Sequence, residues 1–281
     1  MSLDAHRVIC STITLRHLPL QEALDTIAGL GFTQIDLGAL PGVCDHVPYE
    51  LDDAAVRAVA EVVTASGLGV VSVNGDVGDL NAVLDEAAQR SRDAHLEQLL
   101  TLAQTIGARA LVLPNGRQDH APVTDLDSDL ERSAGQLVRA GAAAARHGLE
   151  LWVEAPHHFR LAHDLQRTAA LLAQLPPSIG VVCDVSHITA SGATPREFLA
   201  AHAGRTRHVH LRDAEPGYIH HSIGRGQVDF ADLVAALDET GYAGALALEL
   251  ETRDTADADR PAAALAAGEL ISDLLARTPA R

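Results

Sequence analysis

Eight times along its length the chain pairs a short apolar run with an amphipathic stretch of helical period. The runs are VICSTITL (8–15), FTQIDLGAL (32–40), GVVSVNG (69–75), ARALVLPN (108–115), LELWVEAP (149–156), IGVVCDVSHI (179–188), TRHVHLRD (206–213) and GALALELE (244–251). Helical patterns follow at 20–31 and 52–67, then near 82–107, 125–148, 164–174, 195–203, 230–241 and 258–277. Buried strands alternating with helices imply a parallel sheet. Eight such units close into a (β/α)8 TIM barrel, typically of about 250 residues. An open doubly wound sheet is the alternative, but no G-x-G-x-x-G follows the first run, where a nucleotide-binding version carries it. The segments GLGF, SGLG, HGLE and TGYAG put glycine where a helix C-cap favours positive φ. With no linker and no short-period repeat, residues 1–281 are expected to form one domain.

A chain of 281 residues buries about 75% of the surface exposed when unfolded, so it needs neither disulfides nor a structural metal to hold together. Aromatic residues make up 3% of the sequence, so Ala, Leu and Val must fill the core. Cys10, Cys44 and Cys183 are scattered, without a C-x-x-C pair, which reads as reduced thiols in a cytoplasmic protein. The N-terminus lacks the basic flank and apolar run of a signal peptide, and no segment is apolar over the ~18 residues a membrane span requires. A net charge of −17 repels polyanions, and nucleic acid is not an expected partner. All 21 basic residues are arginine, which excludes Schiff-base chemistry and the lysine of a phosphate-binding P-loop.

The polar residues fall where such a barrel does its chemistry, at the C-terminal ends of the strands. Run 5 reaches Glu154, run 6 reaches Asp184 and His187, run 7 carries His208 and His210, and run 8 carries Glu249 and Glu251. Neighbouring strands lie ~4.8 Å apart, so four adjacent ends can converge on one point. On run 8, Ala245, Ala247, Glu249 and Glu251 share one face and the leucines the other; Glu249, the deeper acid, is the expected ligand, with Glu251 the alternative. Any one of these residues alone reads as solvated or hydrogen-bonded. Four uncompensated polar ends in a row would be strongly unfavourable, and a shared cation removes the difficulty. Two glutamates, an aspartate and a histidine form a hard donor set that suits Mn²⁺ first, then Mg²⁺ or Co²⁺, with Zn²⁺ also admitted.

At five ordered motifs the sequence resembles the xylose-isomerase-like barrel superfamily. This is the sugar phosphate isomerase/epimerase group, with ketose 3-epimerases, inosose dehydratases, 3-dehydroshikimate dehydratases and endonuclease IV as cousins. The motifs are EAPH (Glu154–His157), DVSH (Asp184–His187), HVHLRD (His208–Asp213), GRGQVD (Gly224–Asp229) and LE (Leu248–Glu249). The resemblance implies that Glu154, Asp184, His210 and Glu249 are metal ligands. It also implies that His187 contacts a substrate oxygen and that Glu154 and Glu249 form the proton-transfer pair. The chemistry fits: isomerising a ketose needs a proton removed beside a carbonyl, with a cation polarising the oxygens and carboxylates moving the proton.

The expected function is therefore a divalent-metal-dependent sugar isomerase or epimerase working through an enediolate on a small polyhydroxylated carbonyl compound. A dehydratase of the inosose or dehydroshikimate type uses the same first step and is the first alternative; a non-catalytic sugar-binding barrel is the second. The composition also admits a homo-oligomer. Ketose 3-epimerases follow the strand-5 glutamate with N-R-F-E, whereas here His157, His158, Phe159 and Arg160 follow. That difference favours an anionic substrate, with Arg160, Arg212 or Arg225 as its partner and His157 also in contact. Asn74 and Asn115 stand where endonuclease IV has metal-binding histidines, which speaks against DNA repair. The loop PGVCDHVPYELDD is a candidate lid, with His46 or Tyr49 touching substrate, Asp36 is a candidate pocket residue, and of His220 and His221, close to the site in sequence, His221 is a candidate proton relay.

Overall fold

The computed structural model describes residues 3, 4 and 6–277. In chain order the strands are β1 (Val8–Ser11), β2 (Gln34–Ala39), β3 (Gly69–Gly75), β4 (Ala110–Pro114), β5 (Glu150–Glu154), β6 (Gly180–Asp184), β7 (Thr206–Leu211), β8 (Asp213–Glu215), β9 (Tyr218–His221) and β10 (Leu246–Leu248). The helices are α1 (Leu20–Gly29), α2 (Asp53–Ala65), α3 (Glu86–Thr105), α4 (Leu126–Arg146), α5 (Leu165–Leu172), α6 (Val185–Ala190), α7 (Pro195–His202), α8 (Phe230–Glu239) and α9 (Arg260–Arg277). Eight strands close into a barrel in the order β1-β10-β7-β6-β5-β4-β3-β2. Every neighbouring pair in it is parallel, the (β/α)8 arrangement the alternation implies.

Aspartates start most helices: the side chains of Asp52, Asp85, Asp125, Asp164 and Asp229 accept amide hydrogen bonds at the first turns of α2, α3, α4, α5 and α8. Each satisfies donors that a helix start leaves open. Helix α2 shows how the packing follows from spacing, since Val56, Val59, Ala60 and Val63 bury one stripe. Full burial of a side chain such as valine or leucine contributes about 1.5–3 kcal/mol, and the layer between strands and helices is built of them. Inside the barrel a smaller cluster of Ala110, Val112, Trp152 and Val182 forms an apolar plug. Trp152 stacks on His208 at 5.2 Å between ring centroids. The bulk of the indole leaves no room beside it: a Cβ on Gly180 would lie 2.7 Å from Trp152 Cδ1.

Three apolar runs leave the strand three or four residues before their sequence pattern ends. The first bends after Ser11 into a 3-10 turn (Thr12–Leu15), where the Ser11 side chain accepts from the Ile13 amide and the Thr14 hydroxyl donates to the Leu248 carbonyl. The sixth stops at Asp184, whose carboxylate caps α6 by accepting from the amides of Ser186 and His187. His187 therefore sits on a helical turn, not on the strand. The last run pairs only over Leu246–Leu248, leaving Glu249 one residue past its end. Between the seventh and eighth barrel strands, β8 and β9 form an antiparallel hairpin that the alternating pattern does not announce.

Candidate functional site

Four strand ends bring acids and an imidazole to one place. Glu154 ends β5, Asp184 ends β6, His210 lies in β7 directly opposite Asp184, and Glu249 follows β10. All four are buried, and their donor atoms lie within 4.8 Å of one another. His210 Nδ1 is 3.4 Å from Glu249 Oε2 and 3.8 Å from Asp184 Oδ2. Burial and the neighbouring carboxylates of Asp184 and Glu249 push Glu154 well above the ordinary glutamate range. Burial opposes charge on His210, yet Glu249 and Asp36 hold the imidazole well above its usual value. Asp184 is also disfavoured by burial, but Arg212, His210 and hydrogen bonds from Ser186 and His187 keep it below the usual range.

This set fits a divalent cation. Asp184 Oδ2 and both ring nitrogens of His210 are buried without a hydrogen-bond partner among the described residues, a condition natively folded chains rarely leave unrelieved. Asp184 Oδ1 is engaged by Ser186 and His187, so the two oxygens divide the work: one caps α6 and the other faces the cluster. Three carboxylate oxygens and one imidazole nitrogen form a hard donor set with positions left for substrate.

A second layer supports the first. Asp36, on β2, is fully buried and accepts from the Ser72 hydroxyl at 2.6 Å. Its other oxygen lies 2.7 Å from His208 Nε2 and 3.4 Å from His210 Nε2. Burial disfavours the Asp36 carboxylate, but the two histidines outweigh this and hold it far below the usual range. Asn74, at the end of β3, donates to Glu249 Oε1 at 3.0 Å and fixes that carboxylate. Asn115 instead donates to the carbonyls of Glu154 and Ala162, so it shapes the loop after β5.

Above the cluster opens a cavity of about 280 Å³. His187 Nδ1 accepts from the His158 amide at 3.0 Å, so the neutral ring carries its proton on Nε2, 3.6 Å from Glu154 Oε1. Burial, then the positive charge of Arg212, keeps His187 well below its ordinary value. His157 stacks on it at 3.9 Å and accepts from the Phe159 amide. Glu154, His157 and His187 form a second close donor group at this edge. His220 Nδ1 donates to the Glu251 carbonyl, which leaves the Nε2 lone pair of the neutral ring as a hydroxyl acceptor.

The remaining sequence candidates separate. Arg160 lines the cavity, but its guanidinium bonds Asp76 at 2.7 Å and the Gly116 carbonyl. Arg212 lines it too, donating to Ser186 Oγ at 2.9 Å and lying 3.3 Å from Glu251 Oε2. Arg225 does not line the cavity and faces Asp254 at 3.8 Å. His46 is buried, facing the Leu18 carbonyl and Cys44, and Tyr49 is exposed against His95, so the loop after β2 offers Leu40, Pro41 and Val43 instead. His221 turns away to Glu215, while its neighbour His220 faces in. Glu251 stands at the rim between Arg16 and Arg212, not among the four clustered donors. Sequence reading missed Asp76, which pairs with the distant Arg160, Ser186, which bonds Asp184 and accepts from Arg212, and Arg253, whose amide donates to the His220 carbonyl.

The model of the xylose isomerase-like TIM barrel family matches residues 24–273. L-ribulose 3-epimerase of Mesorhizobium japonicum is 27% identical over 217 residues, covering 73% of this chain and 69% of that protein. Inosose dehydratase of Lacticaseibacillus casei is 26% identical over 147 residues, 44% of this chain and about half (48%) of that protein. Among solved structures, the IOLI protein with a bound zinc atom superposes with a TM-score of 0.80 at 16% identity, covering 98% of this chain and all (100%) of the other. An L-ribulose 3-epimerase structure gives 0.77 at 21% identity, covering 96% and 94%. These two likenesses show a common fold. With 250 consecutive residues matched by its model (273 − 24 + 1), the chain belongs to the xylose isomerase-like TIM barrel family.

Proposed function

We propose that the protein is a divalent-metal-dependent enzyme that removes a proton from the carbon beside the carbonyl of a small polyhydroxylated compound, isomerising or epimerising it through an enediolate. The observation that carries this reading is the buried convergence of Glu154, Asp184, His210 and Glu249, with orphaned donor atoms, at the floor of the cavity. These four residues would hold the ion, which when bound supplies Lewis acidity to the substrate oxygens. Mn²⁺ suits the donor set, and the zinc in one structural neighbour keeps Zn²⁺ equally in view.

The chain's own groups supply the rest. Glu249, oriented by Asn74, takes the proton, and Glu154, the other glutamate of the cluster, returns one. His187, whose proton is held on Nε2, donates to the substrate oxygen on which negative charge grows. Phe159, Ile219, Leu40 and Val43 line the cavity with apolar surface and limit water. A dehydratase outcome, in which the enolate expels a β-hydroxyl, uses the same groups and is supported by the likeness to inosose dehydratase. The test is incubation with ketoses, inososes and keto acids in D2O with Mn²⁺. Deuterium entering the substrate supports proton abstraction, and a conjugated product absorbing in the ultraviolet marks dehydration. Metal and ligand binding without deuterium entry would leave a non-catalytic sugar-binding barrel.

A further inference from the structure

We infer that the substrate carries an oxyanion, a carboxylate or a phosphate, at the end remote from its carbonyl, and that Arg253 recognises it. This rests on the proton-transfer reading above and names the substrate class it requires. The charged side chains lining the cavity are Asp76, Glu154, Arg160, Arg212, Glu249, Glu251 and Arg253. Asp76 and Arg160 pair at 2.7 Å. Glu154 and Glu249 belong to the four-donor cluster. Glu251 is shared by two guanidiniums, with Arg16 at 2.6 Å and Arg212 at 3.3 Å. Arg253 alone among these has neither an ion pair nor a side-chain hydrogen bond among the described residues. One carboxylate between two arginines, with a third arginine unpaired beside it, makes this wall cationic on a chain of net charge −17.

The backbone beneath Arg253 is held, so its side chain is the free part of an anchored segment. The Arg253 amide donates to the His220 carbonyl at 3.0 Å. On one side Arg260 donates to the carbonyls of Leu250 and Thr252; on the other the Asp254 carboxylate accepts from the Ser222 amide and hydroxyl. A guanidinium with an ordered base and no internal partner is suited to bidentate capture of a carboxylate or phosphate. His220 beside it accepts a hydroxyl, so the wall reads an oxyanion next to a hydroxylated carbon.

The test compares a ketose, the same ketose with a terminal phosphate, and its analogue with a terminal carboxylate. Solvent deuterium exchange is measured in Mn²⁺ with the wild type, Arg253→Gln and Arg253→Lys, alongside calorimetric binding of each probe. The expected result is a tenfold or greater preference in kcat/KM for one anionic probe over the neutral ketose. In Arg253→Gln the ratio collapses toward one, mainly through KM; the lysine variant restores part of it, and Arg225→Gln keeps it. Which anion is preferred identifies the source. A ratio unmoved by Arg253→Gln, or a neutral ketose preferred, overturns the inference while exchange itself keeps the proton-transfer reading intact. If no probe exchanges, that reading fails and calorimetry decides here: Arg253-dependent binding of an anionic probe supports the inference, and its absence overturns it.

Discussion

Asp36 and His210 meet across the barrel interior, Oδ2 to Nε2 at 3.4 Å, and the same oxygen lies 2.7 Å from His208. The Asp36 charge lies behind the His210 imidazole, which presents Nδ1 on its other side to Glu249 and Asp184. Asp36→Asn should lower divalent-metal affinity about 10- to 100-fold, measured by calorimetry on chelator-treated protein. Unchanged affinity would show that the carboxylate does not orient the ligand.

Glu249→Gln should reduce solvent exchange of a substrate C–H proton by roughly 10²–10⁴-fold, the usual contribution of a positioned base. Circular dichroism should match the wild type, because Asn74 can still bond the amide. Near-wild-type exchange would transfer the role to Glu251, at the rim with Arg16 and Arg212.

Exhaustive chelation should abolish exchange and lower the melting temperature, with both restored by Mn²⁺. Ligand at 100 times its dissociation constant stabilises a fold by about 2.7 kcal/mol. Relief of repulsion among Glu154, Asp184 and Glu249 gives the ion its preference for the folded state. A melting temperature indifferent to every divalent metal would count against the four-donor site.

Asp129 provides an acid-range signature away from the cavity. Burial raises its pKa, but hydrogen bonds from Asn81, the Val123 amide and Thr124 outweigh this and lower it from 3.8 to about 2. A carboxylate whose folded value is depressed contributes stability above its unfolded value and loses it as pH falls toward the folded one. The contribution, on the order of 1 kcal/mol after solvent screening around Arg132, is present above pH ~4 and lost by pH ~2. Urea denaturation of wild type and Asp129→Asn should therefore differ at pH 7 and converge across that window. A difference constant with pH would reject the linkage.

Asp213 ties the hairpin to the GRGQVD turn by accepting from the amides of Ala214 and Val228 on one oxygen and those of Gly224 and Gly226 on the other. Asp213→Ala leaves these amides unpartnered and should destabilise the fold by about 1–3 kcal/mol. Faster hydrogen exchange should be confined to residues near 213–228. Unaltered protection there would mean the loop is held by other contacts.

The barrel was legible because it is written in local chemistry. Apolar runs, helical spacing and aspartate caps act over a few residues, and eight repeats leave little choice of topology. The convergence of Glu154, Asp184, His210 and Glu249 was legible for a related reason: parallel strands place their C-terminal ends on one face, and period 2 turns alternate residues inward. What required the tertiary structure was pairing between distant segments. Asp184 stops its strand by capping α6, which moves His187 onto a helix. Asp36 reaches His210 from the other side of the barrel, more than 170 residues away in sequence (210 − 36). Arg160 and Arg212 find carboxylates on other loops, and Arg253 finds none among the described residues. An arginine reads the same in sequence whether its charge is met or not, and only the fold decides which acids stand beside it.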